Sequence, residues 1–277
     1  MESSMTKRLC LVALLFALAA CAALPPTRQG EIAEYRPGVL VGYLDGRPLP
    51  QAARFIGPPP AAGSAEAARD LAVARAVPAG MDSPRWQLAA SDDALVFPKA
   101  FDIFACALGF TPSETQTPHL ATLIRRVAAD AGRMASEAKE VWPRQRPFLE
   151  LGHPICIPQA RERLAHSASY PSGHAAIGWA VALVLSELVP ARAEALLARG
   201  LAYGQSRVIC GVHWPSDVEA GQRVAAAALA ATRRDQVYQA QYRLAAREIA
   251  TRPLQPPPSA EICAAEAAAL GLPAATQ

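Results

Sequence analysis

Residues 170–174 read Tyr170-Pro171-Ser172-Gly173-His174 and run directly into the apolar stretch Ala175 to Val189. Pro and Ser ahead of an apolar-periodic segment mark a helix start. The free backbone N–H groups of such a start form an anion site, and Gly173 lets an anion approach the backbone closely. His174 falls in the first turn, within reach of whatever the anion is bonded to.

Composition extends the helical reading to the whole chain. Ala dominates the apolar residues, and β-branched runs are scarce, which favours close-packed helices over sheets. Ser64 is an N-cap candidate for a helix that Pro78 stops, and Ser83-Pro84 starts another. Thr117-Pro118 opens the clearest amphipathic segment, with Leu120, Leu123, Ile124, Val127, Ala131, Met134 and Ala138 on one stripe. Residues 148–170 read as a loop. Helices follow over about 172–188, from Pro190 to about 208, from Pro215 to about 233, and over 234–250. The expectation is an all-α, single-domain helical bundle over 63–250. It is preceded by a Pro/Gly-rich extended arm over 21–62, with Val39 to Leu44 as an extended piece, and followed by a Pro/Ala-rich tail over 251–277.

The N-terminus carries an export pattern. Lys7 and Arg8 precede the twelve apolar residues Leu9 to Ala20, a secretory h-region too short to span a bilayer. Residues 1–20 are therefore expected to be a signal peptide. Leu18-Ala19-Ala20-Cys21 resembles a bacterial lipobox, which would make Cys21 the lipidated first mature residue and anchor the protein to the outer membrane. The alternative is ordinary cleavage after Ala22 or Ala23. Either route implies a periplasmic protein. Beyond the leader lie Cys106, Cys156, Cys210 and Cys263, an even number that suggests two disulfides, with three connectivities open. With a formal charge of only +3 and no basic run, the chain shows no mark of nucleic-acid binding.

Three pieces carry chemistry. Lys139 and Arg146-Pro147 are spaced K-x6-R-P. Pro171-Ser172-Gly173-His174 is the second piece. Ser206-Arg207, His213 and Asp217 are spaced S-R-x5-H-x3-D. Each alone has an ordinary reading: a solvated cation, a hydrogen-bonded histidine, an acid in a helix's first turn. Together they supply three cations, two imidazoles, a carboxylate and a helix start, the inventory of a phosphoryl-transfer site that needs no metal. Transferring phosphoryl groups spread charge over three oxygens, and catalysis is chiefly positioning and charge stabilisation. Arg146 and Arg207 offer planar forks and Lys139 a point charge. His213 is the better nucleophile, because Asp217 four residues on can fix its tautomer if the chain turns helically there. His174 then serves as general acid, and an acid-side pH optimum follows.

These pieces resemble the signature of the type 2 phosphatidic acid phosphatase superfamily, which includes vanadium haloperoxidases and bacterial nonspecific acid phosphatases. The closer resemblance is to the secreted class A acid phosphatases. It rests also on Ala176-Ile177-Gly178-Trp179-Ala180, on Gly204-Gln205-Ser206-Arg207-Val208-Ile209-Cys210-Gly211, and on Pro58-Pro59-Pro60 before Ser64. The resemblance implies His213 as phosphorylated nucleophile, His174 as acid and Asp217 as its orienting partner. It implies phosphate held by Lys139, Arg146, Ser172, Gly173 and Arg207. It further implies no cofactor or metal requirement, broad small phosphomonoester substrates with some phosphotransfer, inhibition by inorganic phosphate or vanadate, and frequently a homodimer. Cys156 and Cys210 stand where such proteins often carry cysteines, which implies the pair Cys156–Cys210 and leaves Cys106 with Cys263. Two other chemistries share such a site: a vanadate-dependent haloperoxidase and a lipid phosphate phosphatase.

Overall fold

The computed structural model describes residues 25–28 and 30–272, so the expected leader and Cys21 lie outside the described residues. The arm forms β1 (Glu34–Arg36) and β2 (Val39–Leu40), an antiparallel pair, and then a short helix, α1 (Ala52–Ile56). The extended reading of 39–44 thus shrinks to two residues. The cause is a buried carboxylate: the amides of Tyr43 and Leu44 donate to Asp130 at 3.0 and 3.1 Å, so their hydrogen bonds go to a side chain rather than a strand. Arg126 adds bonds to the carbonyls of Val41 (3.2 Å) and Gly42 (3.0 Å) and lies 4.0 Å over the Tyr43 ring. Tyr43, Leu44, Ala52 and Ile56 are all buried. The arm is part of the core, not a strap across it.

Helix starts follow the caps expected of them. Ser64 accepts from the Ala67 amide (3.1 Å) to open α2 (Ala65–Ala76), and Ser83 accepts from Trp86 (3.2 Å) to open α3 (Pro84–Ser91). A 3₁₀ turn over Lys99–Phe104 leads into α4 (Ala105–Leu108). Then comes the long α5 (Pro118–Val141), on which every residue of the expected apolar stripe is buried. Full burial of a Leu or Met there contributes about 1.5–3 kcal/mol.

The segment 148–170 is not a continuous loop. It holds α6 (Pro147–Leu151) and α7 (Arg161–Ala165), single turns too short to show a helical period in sequence. The remaining helices are α8 (Gly173–Leu188), α9 (Ala193–Ile209), α10 (Pro215–Thr232), α11 (Gln236–Thr251) and α12 (Ala260–Leu270). The last one lies in the Pro/Ala-rich tail. Disulfide Cys106–Cys263 ties it to α4, and Glu266 lies 3.3 Å from buried Arg199. The second disulfide is Cys156–Cys210, the pair that the resemblance implied.

Helix α8 is the hub, packed against α5, α9 and α10. It is apolar on all sides, as a central helix must be. Close approach needs small residues: a Cβ at Gly178 would meet the Tyr203 ring at 2.1 Å, and one at Gly221 would meet the Ser172 carbonyl at 2.4 Å. The second contact draws α10 against the N-terminus of α8, bringing Asp217 beside Ser172. The architecture is all-α apart from the two short strands. No helix among the described residues is long and apolar enough to cross a membrane.

Candidate active site

The C-terminal end of α5, the N-terminal end of α8 and the C-terminal end of α9 converge on one cavity of about 340 Å³. Lys139, Arg146, Gly173, His174, Arg207 and His213 all line it. The sequence pieces are therefore brought together, from elements up to 74 residues apart (213 minus 139).

The pairing of His213 with Asp217 differs from the expected helical one. His213 sits in the bend before α10, not on the helix. Asp217, in the first turn of α10, reaches back as a cap: its Oδ2 accepts from the Trp214 amide at 2.9 Å and lies 3.1 Å from His213 Nδ1. Ser169 Oγ donates to the same oxygen, and Arg144 Nη1 donates to Oδ1 at 2.8 Å. Across the ring, Arg146 Nη1 stands 3.0 Å from Nε2. Arginine only donates, so Nε2 carries the lone pair and Nδ1 the proton shared with Asp217. Burial, then Arg146, Lys139 and Arg207, holds His213 well below the usual histidine range. Burial raises the Asp217 carboxyl, and Arg144 opposes that rise most strongly.

Two of the cations, Arg146 and Lys139, are held by neutral acceptors. Arg146 donates to the carbonyls of Leu164 (3.0 Å), Ser167 (2.9 Å), Val212 (2.8 Å) and Ala168 (3.3 Å). Lys139, in the last turn of α5, donates to the Ser169 carbonyl at 3.0 Å and also to that of Ala168. Carbonyls satisfy the donors without cancelling the charge, so the cavity stays positive. Burial and the neighbouring Arg146 push Lys139 down to about 7, and burial lowers Arg146 to about 10. Arg207, 1% exposed, donates from Nη2 to Asp93 at 2.9 Å, while its Nε and Nη1 are buried without a hydrogen-bond partner. Two orphaned guanidinium donors beside a cavity fit an anion.

His174 Nε2 lies 3.4 Å from both the carbonyl and Oδ1 of Asp93. Burial and the Arg207 guanidinium press His174 down to about 4, against the pull of Asp93. Gly173 faces open space, where an added Cβ would meet nothing within 4 Å. Ser172 does not line the cavity: it is buried, its Oγ accepts from the Ala175 amide (3.3 Å), and its amide donates to the Asp217 carbonyl (2.8 Å). In this structure it caps α8 and fixes the turn that presents Gly173 and His174.

Four residues of this network were missed in sequence. Arg144 bridges Asp217 to buried Asp70 (2.8 Å) and lies 5.0 Å over the Trp214 ring. Its signal was present, as a second Arg inside the K-x6-R-P gap. Asp70, Asp93 and Ser169 had none, because their partners are remote in sequence. In the 148–170 segment, Arg163 lines the cavity. Arg161 instead lies 4.8 Å over the Phe148 ring, and His166 is exposed and off the cavity wall. His153 is a buried loop residue.

Known proteins are similar to this chain in sequence. The profile of the PAP2 superfamily matches residues 120–241, a span that contains all three pieces. An acid phosphatase of Zymomonas mobilis is 40% identical over 195 residues, covering 70% of this chain and 74% of that protein. A non-specific acid phosphatase of Providencia stuartii is 36% identical over 230 residues, covering 83% of this chain and 91% of that protein. A non-specific acid phosphatase of Salmonella typhimurium is 42% identical over 145 residues, covering 52% and 58% respectively.

Proposed function

The chain belongs to the PAP2 superfamily, among its nonspecific acid phosphatases, and from that premise we propose that it hydrolyses small phosphate monoesters through a phosphohistidine on His213, without a metal. The observation that carries this reading is the state of the His213 ring. Nδ1 is held by Asp217, and Nε2 keeps its lone pair, shared in the free protein with Arg146 Nη1, at the wall of a cavity lined by Lys139, Arg146 and Arg207.

The phosphoryl group enters with its oxygens on the two orphaned donors of Arg207, on Lys139 and Arg146, and near the Gly173 amide at the start of α8. Lysine and arginine bind oxyanions but do not ligate metals, so this donor set speaks for charge stabilisation by the protein itself. His213 Nε2 attacks phosphorus as the ester P–O bond breaks. His174 gives its proton to the leaving oxygen, and Asp217 steadies the phosphorylated ring. Water then enters, His174 takes its proton, and the P–N bond breaks to release inorganic phosphate. An alcohol in place of water gives phosphotransfer.

The two histidines need opposite charge at the start. His213 lies well below the ordinary range and is neutral throughout the working region. His174, near 4 in the free protein, is protonated only in acid until a bound phosphate dianion favours its charged form. An acid optimum follows. Export to an oxidising compartment is part of the same proposal: the apolar leader after Lys7 and Arg8 and the two disulfides support it.

Acid-quench trapping with labelled aryl phosphate tests the mechanism. The wild type is expected to carry acid-labile, base-stable phosphate, and His213→Ala none. Label surviving in His213→Ala, or activity lost to a chelator and restored only by a divalent metal, contradicts it.

A further inference from the structure

We propose that Asp93 is a positioning residue for the general acid, making with His174 a second histidine–carboxylate pair that answers His213–Asp217 across the cavity. The inference rests on the reading of His174 as acid.

The two pairs use opposite ring nitrogens. Asp217 takes Nδ1 of His213 and leaves Nε2 for phosphorus. Asp93 takes Nε2 of His174, with Oδ1 and its own carbonyl both at 3.4 Å. Nδ1 of His174 has no hydrogen-bond partner among the described residues and is the ring nitrogen left to serve the leaving oxygen. When Nδ1–H protonates the ester oxygen, the proton on Nε2 stays with the ring. His174 ends the step neutral, with Nε2–H directed at Asp93. In the second half the Nδ1 lone pair accepts the proton of the attacking water. Asp93 keeps Nε2 in the donor role throughout, so the ring never presents the wrong tautomer.

Charge makes the pairing necessary. The groups facing His174 are Arg207 and Tyr203 on α9, His213 in the bend before α10, and Lys139 and Arg146 across the cavity. Asp93, from the segment after α3, is the anion in contact with the ring, and an imidazolium among those cations needs one. Asp93 is suited to the task because it stays ionised: against the effect of burial, His174 and Arg207 hold its carboxyl below the usual carboxylate range. The same oxygen accepts from Arg207 Nη2 at 2.9 Å, so one carboxylate sets both the acid and the orientation of the guanidinium whose Nε and Nη1 remain for phosphate. At 23% exposure the side chain keeps access to water behind the cavity wall that His174 and Arg207 form.

Asp93→Asn keeps the shape and removes the charge; Asp93→Ala provides a second variant that introduces no new clash. The readouts are kcat for an alkyl phosphate and for nitrophenyl phosphate, across pH, with the thermal transition as a check on folding. A poor leaving group needs protonation and a good one does not. The expected result is a fall in kcat at least about 10-fold larger on the alkyl ester than on nitrophenyl phosphate, the loss common to both esters being that of the Arg207 orientation. The basic limb of the alkyl profile should also move to lower pH. Equal losses on both esters, or a uniform rise in KM with the limb unmoved, would reduce Asp93 to an anchor for Arg207 and overturn the proposal. Phosphoenzyme trapping on the same samples separates the two levels. No phosphoenzyme in the wild type sinks the whole catalytic reading, whereas phosphoenzyme with an unmoved limb sinks only the role of Asp93.

Discussion

Replacing Arg144 with Met should destabilise the protein most near neutrality and least in acid. Arg144 is the cation that joins two carboxylates with almost no access to water, Asp70 at 1% and Asp217 at 0% exposure, with N–O distances of 2.8 Å to each. Removing one partner of a buried pair costs about 3–5 kcal/mol, because the charge left behind is uncompensated. Arg144 keeps 15% of its surface in water, and that solvation discounts the cost to about 2–4 kcal/mol. For a chain of this length each kcal/mol moves the midpoint by about 2–4 °C, giving a drop of roughly 4–16 °C. The sign of the pH dependence is fixed by Asp217. Burial already raises its carboxyl, and without Arg144 it rises further. A carboxyl raised in the folded state destabilises the fold above its folded pKa and stops doing so below it, so the deficit shrinks as the pH falls through that value. Thermal denaturation of both proteins at several pH values measures this. Adding Asp217→Asn to the variant should restore part of the lost stability, though not activity. A deficit below about 1 kcal/mol, or one that stays constant with pH, would refute the account.

His174 makes the protein acid-sensitive. Its pKa near 4 against an unfolded value of 6.5 means the unfolded chain binds the proton first, so about 3 kcal/mol of stability should be lost as pH falls from 6.5 to 4. His174→Gln should flatten that slope in denaturant titrations, and saturating phosphate should oppose it in the wild type. Asp130→Ala leaves the buried amides of Tyr43 and Leu44 without an acceptor and should cost about 1–3 kcal/mol, with earlier proteolysis of the arm. Replacing Cys106 and Cys263 together by Ser opens a loop of 157 residues and should cost about 2–4 kcal/mol. That variant should keep its kcat, since the bond ties α4 to α12 away from the cavity. A selective loss of kcat in it would show that the tail supports the site.

What the sequence made legible followed local physics. The buried stripe of α5 has the helical period, and Ser64, Ser83, Pro118 and Pro215 open helices where capping and proline rules put them. The cations and both histidines stood out because spaced motifs fix them. What stayed hidden depends on tertiary approach. Asp93 meets His174 from 81 residues away, Asp130 meets the arm from more than 80, and Asp70 reaches Arg144 across 74. No local pattern marks such partners. The tail helix α12 was obscured by the prolines before it, while α6 and α7 are too short for a period. The assumption that His213 and Asp217 share a helix face was wrong in form: their spacing works because Asp217 caps α10 and turns back.

The carbonyl cradle around Lys139 and Arg146 has one more consequence. Anion preference at this site is written in the path of the main chain from Leu164 to Ser169, and hardly at all in the side chains along it. Ala168 can be exchanged for another small residue without the guanidinium noticing. A single deletion in that segment would rotate the oxygens away, strip Lys139 of its two carbonyls and leave Arg146 with only Val212 and His213. Libraries scanning this stretch should therefore tolerate spelling changes between buried Leu164 and Ser169, whose hydroxyl serves Asp217, and reject changes of length.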